Sequence, residues 1–278
     1  MKTPVRNPRL ALQLALAALL VLCGCTSPGQ RLDERARAAG LEIVHLPGGD
    51  FPSVIYLKRG PAASTAAGPL TVFLESDGIP WRDGRQPSAD PTTRQPVALE
   101  LLTRSAGPAA YVTRPCYHGL RSDRCTVEHW TGGRYSPAVV EAMVATVREA
   151  QRRAGTDEIA LVGYSGGGVL AVLIAERLDN VASVVTVAAN LDTDAWTEHH
   201  SYLPLSQSLN PASSDRPHPW PELHLQGAND VVVPAATTAR YFARYPQAQR
   251  RIIAGFDHVC CWVREWPSIA EPSTAHAP

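Results

Sequence analysis

Six consecutive residues carry the sharpest chemical signal in the chain: Gly163-Tyr164-Ser165-Gly166-Gly167-Gly168. They stand where an apolar strand-like run, Glu158 to Gly163, hands over to an apolar helix-like run, Gly167 to Leu178. A serine on a sharp strand-to-helix turn is held out from the backbone, and glycines beside it let strand and helix approach without Cβ clashes. The helix N-terminus behind Ser165 adds free N–H groups and a positive end, which suit a developing oxyanion. No Gly-Lys-Ser/Thr sequence comes after it, which sets a phosphate-binding loop aside. A serine hydroxyl is a poor nucleophile until a base takes its proton, so the pattern requires a histidine and an acid to orient it. Asp230 and His258 stand later in the chain in that order, each beyond a strand-like run. Asp192 and Asp194 come after a further run, Val181 to Ala188, and compete for the acid's place. Asp257 is set aside because the side chains of adjacent residues diverge.

The elements that must hold these groups alternate along the chain. Arg31 to Ala39 reads as a helix, and Leu41 to Leu46 and Ser53 to Lys58 read as early antiparallel strands about a Pro47-Gly48-Gly49 turn. Arg59 to Pro69 is a surface connection. Leu70 to Glu75 is a continuous apolar strand, Val97 to Arg104 a helix and Ala110 to Thr113 a strand. Ala138 to Arg153 has helical periodicity, with Ser136 as N-cap, Pro137 at the first helical position and Gly155 as stop. After the glycine-rich turn come a strand at Val181 to Ala188 and a long irregular stretch, Asn190 to Pro221. A strand at Leu223 to Gln226, a helix at Pro234 to Tyr245 and a strand at Arg251 to Ala254 complete the series. This rhythm implies a mostly parallel sheet with helices on both faces.

Taken together, the glycine-flanked serine and the positions of Asp230 and His258 resemble the α/β-hydrolase superfamily, over roughly Leu41 to Trp266. Gln226 to Pro234 looks like that family's acid loop, which points to Asp230, and the family places its histidine where His258 stands. Glu75-Ser76-Asp77-Gly78-Ile79-Pro80-Trp81 resembles the family's His-Gly-x-Pro loop, with Asp77 in place of the usual histidine. The resemblance implies an oxyanion hole from the Ile79 and Gly166 N–H groups and puts in doubt how the loop is braced. It also implies an α/β-hydrolase fold, a small-molecule acyl substrate, an acyl-enzyme on Ser165 and no cofactor. The stretch from Asn190 to Pro221, with Trp196, His199, His200, Tyr202 and Trp220, occupies the position of the family's lids and is expected to form a small aromatic flap. The rival reading is a non-catalytic envelope lipoprotein that uses the fold as a binding scaffold.

The N-terminus reads as a signal peptide over residues 1–24: Lys2, Arg6 and Arg9 precede the apolar run Leu10 to Leu22, which is short for a bilayer. Leu22-Cys23-Gly24-Cys25 resembles the lipobox of bacterial lipoproteins, which makes Cys25 the lipidation site. Thr26 after it favours the outer membrane, on its periplasmic face. Residues 25–40 are then a lipidated tether and short helix, 41–266 the catalytic domain and 267–278 a flexible tail. Four further cysteines remain. Cys116 and Cys125 share a short insertion and are expected to form a disulfide, whereas Cys260 and Cys261 are left open between thiols, partners of the first pair and a vicinal bridge. Cys116, His118, Cys125 and His129 match no standard zinc spacing, so no metal is expected. With 26 basic and 26 acidic residues and no basic stripe, nothing suggests nucleic acid as a partner.

Overall fold

The structure is a computed structural model and describes residues 26–48, 51–60 and 68–270. The expected signal segment and Cys25, part of the expected turn at Pro47 to Gly49, most of the connection after Arg59 and the last eight residues lie outside it. Ten strands are present among the described residues: β1 Glu42–Leu46, β2 Ser53–Lys58, β3 Leu70–Leu74, β4 Trp81–Arg82, β5 Gln86–Pro87, β6 Ala109–Val112, β7 Ile159–Tyr164, β8 Val181–Val187, β9 Glu222–Gly227 and β10 Gln249–Ile253. Eight of them form one sheet in the order β1-β2-β6-β3-β7-β8-β9-β10, and β4 and β5 make a separate small hairpin. The β1–β2 and β2–β6 pairs are antiparallel and the rest of the large sheet is parallel, as the alternation of elements anticipates.

Seven helices among the described residues accompany the sheet: α1 Pro28–Ala38, α2 Val97–Arg104, α3 Pro137–Ala154, α4 Gly166–Ala175, α5 Thr193–His199, α6 Ala239–Arg244 and α7 Trp262–Glu265. Successive strand residues point to opposite faces. Ile55 and Leu57 of β2 join Leu70, Val72 and Leu74 of β3 in one apolar cluster with α3, α4 and Tyr241 of α6. Val54, Tyr56 and Phe73 join the other cluster, with α1, α2 and Trp262 of α7. Helices thus cover both faces. The strongest local instructions are obeyed: Ser136 Oγ accepts from Val139 N, Pro137 opens α3, and Gly155 closes it in the left-handed conformation at φ 68°.

Three expectations need correction. The stretch after Asn190 contains α5, whose start Asp192 caps by accepting from Ala195 N. The helix expected over Pro234 to Tyr245 is divided into a 3₁₀ turn, Ala235–Thr238, and α6. Thr237 and Thr238 donate their hydroxyls to Pro234 O and Ala235 O, and such back-bonding competes with regular helix. The start of the C-terminal tail is packed: Ser268–Ala270 form a 3₁₀ turn, and Arg251 donates to Ile269 O at 2.7 Å.

Candidate active site

The segment at Ser165 folds as the glycines require. Ser165 has φ 53° and ψ −123°, between the end of β7 and the start of α4. A Cβ on Gly163 would lie 2.2 Å from Gly167 O, and one on Gly167 would lie 2.1 Å from Leu74 O, so neither position has room for a side chain. Ser165 is held by its N–H, which donates to Val187 O of the neighbouring strand at 2.8 Å. The result is a serine fixed at the carboxyl ends of the central strands, where open α/β sheets place their ligands.

His258 and Asp230 converge on it. His258 Nε2 lies 3.1 Å from Ser165 Oγ, and Asp230 Oδ2 lies 2.8 Å from His258 Nδ1. The other Asp230 oxygen accepts from Val232 N at 2.9 Å and Val233 N at 2.8 Å, which fixes the carboxylate plane. The His258 loop is held by two groups that sequence reasoning passed over. Tyr164, between glycine and serine in the motif, donates its hydroxyl to His258 O at 2.9 Å, and Trp262 Nε1 donates to the same carbonyl at 3.0 Å.

The competing acids lie elsewhere. Asp192 accepts from Arg240 Nε at 2.8 Å and from Asn210 Nδ2 at 2.9 Å, and Asp194 accepts from the same two residues, so both serve a structural ion pair. Asp257 turns back to accept from Val259 N and Cys260 N.

For the oxyanion loop the structure departs from expectation. Ile79 N–H donates to Pro91 O at 2.9 Å and is therefore not available to a substrate. Ser76 N donates to Glu75 Oε1 and Gly78 N to Ser76 Oγ, which leaves Asp77 N–H as the loop amide that no contact among the described residues occupies. Gly166 N–H sits in the first turn of α4, where no helical acceptor exists.

Asp77 resolves how the loop is braced without the usual histidine. Its carboxylate accepts from Arg114 Nη1 at 2.5 Å, Arg134 Nη1 at 2.8 Å and the Tyr135 hydroxyl at 2.8 Å, while Tyr117 donates to its carbonyl at 2.9 Å. The side chain lies so close to the serine turn that a Cβ on Gly166 would be 2.0 Å from Asp77 Oδ1. Burial would raise the Asp77 carboxyl, but the charges of Arg134 and Arg114 outweigh it and hold it at about 2.

Above the serine opens a cavity of about 1000 Å³ whose surface is mainly apolar, from side chains that include Ile79, Trp81, Val97, Trp196 and Leu205, with Arg85, Arg94, Glu128 and Arg134 also among its lining. The aromatic segment expected as a flap forms one wall. Trp196 Nε1 donates to Val232 O, His200 Nε2 reaches the same carbonyl, and Tyr202 stacks on His200 at 5.0 Å. This wall is tied to the loop that carries Asp230. Cys116 and Cys125 are joined by a disulfide, with Cα atoms 5.5 Å apart, and Cys260 and Cys261 are joined to each other. His118, close to Cys116 in sequence, faces Tyr56 and Asp33.

Neither a protein-family model nor a curated protein matches this chain. Solved structures do. An esterase from Pyrococcus furiosus is similar with a TM-score of 0.59 and 12% identity, over 89% of this chain and 90% of that one. A puromycin-hydrolyzing peptidase from Mycobacterium tuberculosis is similar with a TM-score of 0.57 and 19% identity, over 78% of this chain. An α/β serine hydrolase without lid from Xanthomonas campestris gives a TM-score of 0.50 and 15% identity, over 78% of this chain and 85% of that one. The chain spans 36% of the length of the puromycin hydrolases it matches. At these identities the likeness is one of fold: the sheet order and its neighbours are those of the α/β-hydrolase fold.

Proposed function

We propose that this protein is a serine hydrolase that cleaves carboxylic esters or related acyl bonds. The observation that carries the reading is the unbroken hydrogen-bonded line Asp230–His258–Ser165 at the floor of a largely apolar cavity. Asp230 orients the imidazole and stabilises its protonated form. His258 Nε2 takes the Ser165 proton as Oγ attacks the acyl carbonyl, and the oxyanion rests on Gly166 N–H together with Asp77 N–H. His258 then returns the proton to the departing alcohol. Water, deprotonated by the same imidazole, releases the acid and restores the serine. All of these steps run on protein groups and water. The apolar cavity suits an acyl chain better than a charged substrate.

The test is fluorophosphonate labelling and ester turnover of the whole protein beside its Ser165→Ala variant. Loss of the nucleophile is expected to abolish labelling and to lower kcat by about 10⁶ with the melting temperature unchanged. Labelling that survives the substitution would remove Ser165 from the role, and wild-type protein inert to probe and esters alike would favour the scaffold reading.

Membrane attachment through Cys25 is proposed on the lipobox resemblance alone. Cys25→Ser is expected to end incorporation of labelled palmitate and to move the protein out of the outer-membrane fraction. Unchanged labelling would place any lipid elsewhere.

A further inference from the structure

The large apolar side chains left exposed among the described residues are not scattered. Ile79, Tyr202, Leu203, Val232 and Val259 all stand exposed and all line the cavity above Ser165. Val231, 77% exposed, precedes one of them in sequence, and Val127, 41% exposed, precedes the cavity-lining Glu128. Ile252, on the edge strand β10, is the exception. Leu203, 79% exposed, crowns the wall built by the aromatic segment. Single exposed apolar residues need no explanation, but a ring of them around one mouth marks a surface that meets something apolar.

The surroundings say what that is. Arg82, Arg85 and Arg94, all exposed, belong to the loop beside the mouth, with Asp83 as the acid between the first two, while the exposed acids Glu128, Glu198 and Asp257 stand on or next to lining residues elsewhere around it. Cations flanking an apolar rim match an interface with anionic headgroups outside and acyl chains within. The start of the fold lies at the same edge. A Cβ on Gly29, in the first turn of α1, would be 2.6 Å from His118 O, and His118 belongs to the loop that leaves the carboxyl end of β6. Thr26, two residues past Gly24, is held there by Arg31, directly after the Cys25 and Leu10 to Leu22 segment.

We infer that the rim of the active-site mouth docks on a phospholipid surface, so that the acyl substrate enters the cavity from the lipid side. The substrate class is then an amphiphilic ester whose chain is already in the membrane. That identification of substrate rests on the hydrolase reading; the docking does not.

The experiment reconstitutes the full-length protein in vesicles of phosphatidylcholine and phosphatidylglycerol, with and without bromine on the acyl chains. Tryptophan emission is the readout, since Trp81 and Trp196 line the mouth. Quenching by brominated lipid is expected, and it should fall by at least half in a Val127→Gln/Val231→Gln variant, whose residues lie outside the cavity lining. In the same variant, turnover of a water-soluble short-chain ester should stay within twofold while turnover of a vesicle-borne long-chain ester falls at least tenfold. Absent quenching, or quenching that the variant does not reduce, overturns the docking, as does a rim that pairs two copies of the protein in solution without binding vesicles. Quenching as expected with no ester hydrolysed leaves the docking standing and defeats the hydrolase reading. Soluble-ester turnover without quenching does the reverse.

Discussion

Histidine meets carboxylate at both ends of β9, and the two ends could hardly differ more. Beyond its carboxyl end, Asp230 holds His258 against Ser165, and the His258 side chain is 16% exposed toward the cavity. At its amino end, Glu222 accepts from His218 at 2.7 Å, His224 at 2.9 Å, Tyr241 at 2.7 Å and Trp220 at 3.0 Å, with both imidazoles at 0% exposure. The second cluster is richer in ionisable groups, yet its carboxylate is fully engaged and its imidazoles are sealed from solvent. Its pKa is driven far down: burial pushes upward, and the two histidines more than reverse it. Residue types alone do not make a site. An imidazole does chemistry where one nitrogen is fixed by a partner and the other faces an open space with a nucleophile beside it.

The contrast is broken most sharply at the end that holds the proposed triad. Asp230→Asn keeps the shape but favours the wrong His258 tautomer, and ester turnover is expected to fall by about 10⁴. Asp192→Asn, which touches Arg240, Asn210 and the capped Ala195 N–H of α5 but neither His258 nor Ser165, should leave kcat within a few-fold. Steady-state kinetics of both variants decide between them. A severe Asp192 variant and a mild Asp230 variant would move the acid to the end of β8.

At the other end the same type of substitution should act on stability instead. Glu222→Gln leaves two buried histidines and a tyrosine facing a neutral amide, and breaking a buried ionic cluster costs about 3–5 kcal/mol. For a domain of this size that corresponds to roughly 10 °C in melting temperature. Turnover measured well below the transition should stay within twofold of wild type. A variant that melts normally but turns over slowly would show that the sealed cluster communicates with Ser165.

The open cluster was legible in the sequence because each member comes just after a strand, and parallel strands deliver their C-terminal loops to one edge. The braces were not. Asp77 meets Arg114, Arg134 and Tyr135 across 37, 57 and 58 residues of sequence, and no local pattern announces contacts of that range. Ile79 misled for a related reason: whether a backbone N–H is free depends on where Pro91 O comes to rest, which the motif around Ile79 does not encode. The fold was read well where periodicity ran long, as in α3 and the central strands. It failed for short elements such as α5, seven residues whose only sequence mark is the capping Asp192.

The smallest effect concerns pH and sets two neighbouring carboxyls against each other. Glu75 and Asp77 flank Ser76 in one loop, but only Asp77 has arginines beside it. Burial raises Glu75 from 4.5 to about 7, and the N–H groups of Ser76 and Ala98 only partly offset this. A carboxyl that binds its proton more tightly folded than unfolded makes stability fall as pH rises between those two values. For Asp77, depressed to about 2 from 3.8, the stabilisation is present above 3.8 and lost as pH falls through that range. The two windows do not overlap. Burial works to lower the His218 pKa and the carboxylates of Glu176 and Glu222 outweigh it, so that histidine releases its proton above 6.5. Between pH 5 and 6.5 the loss of the Glu75 proton is therefore expected to remove roughly 2 kcal/mol of stability. Glu75→Gln keeps an acceptor for a backbone N–H but has no proton to lose, so its urea midpoint should be nearly flat across that interval while the wild-type midpoint declines. Equal slopes in the two proteins would assign the pH dependence to another group and return Glu75 to an ordinary ionised carboxylate.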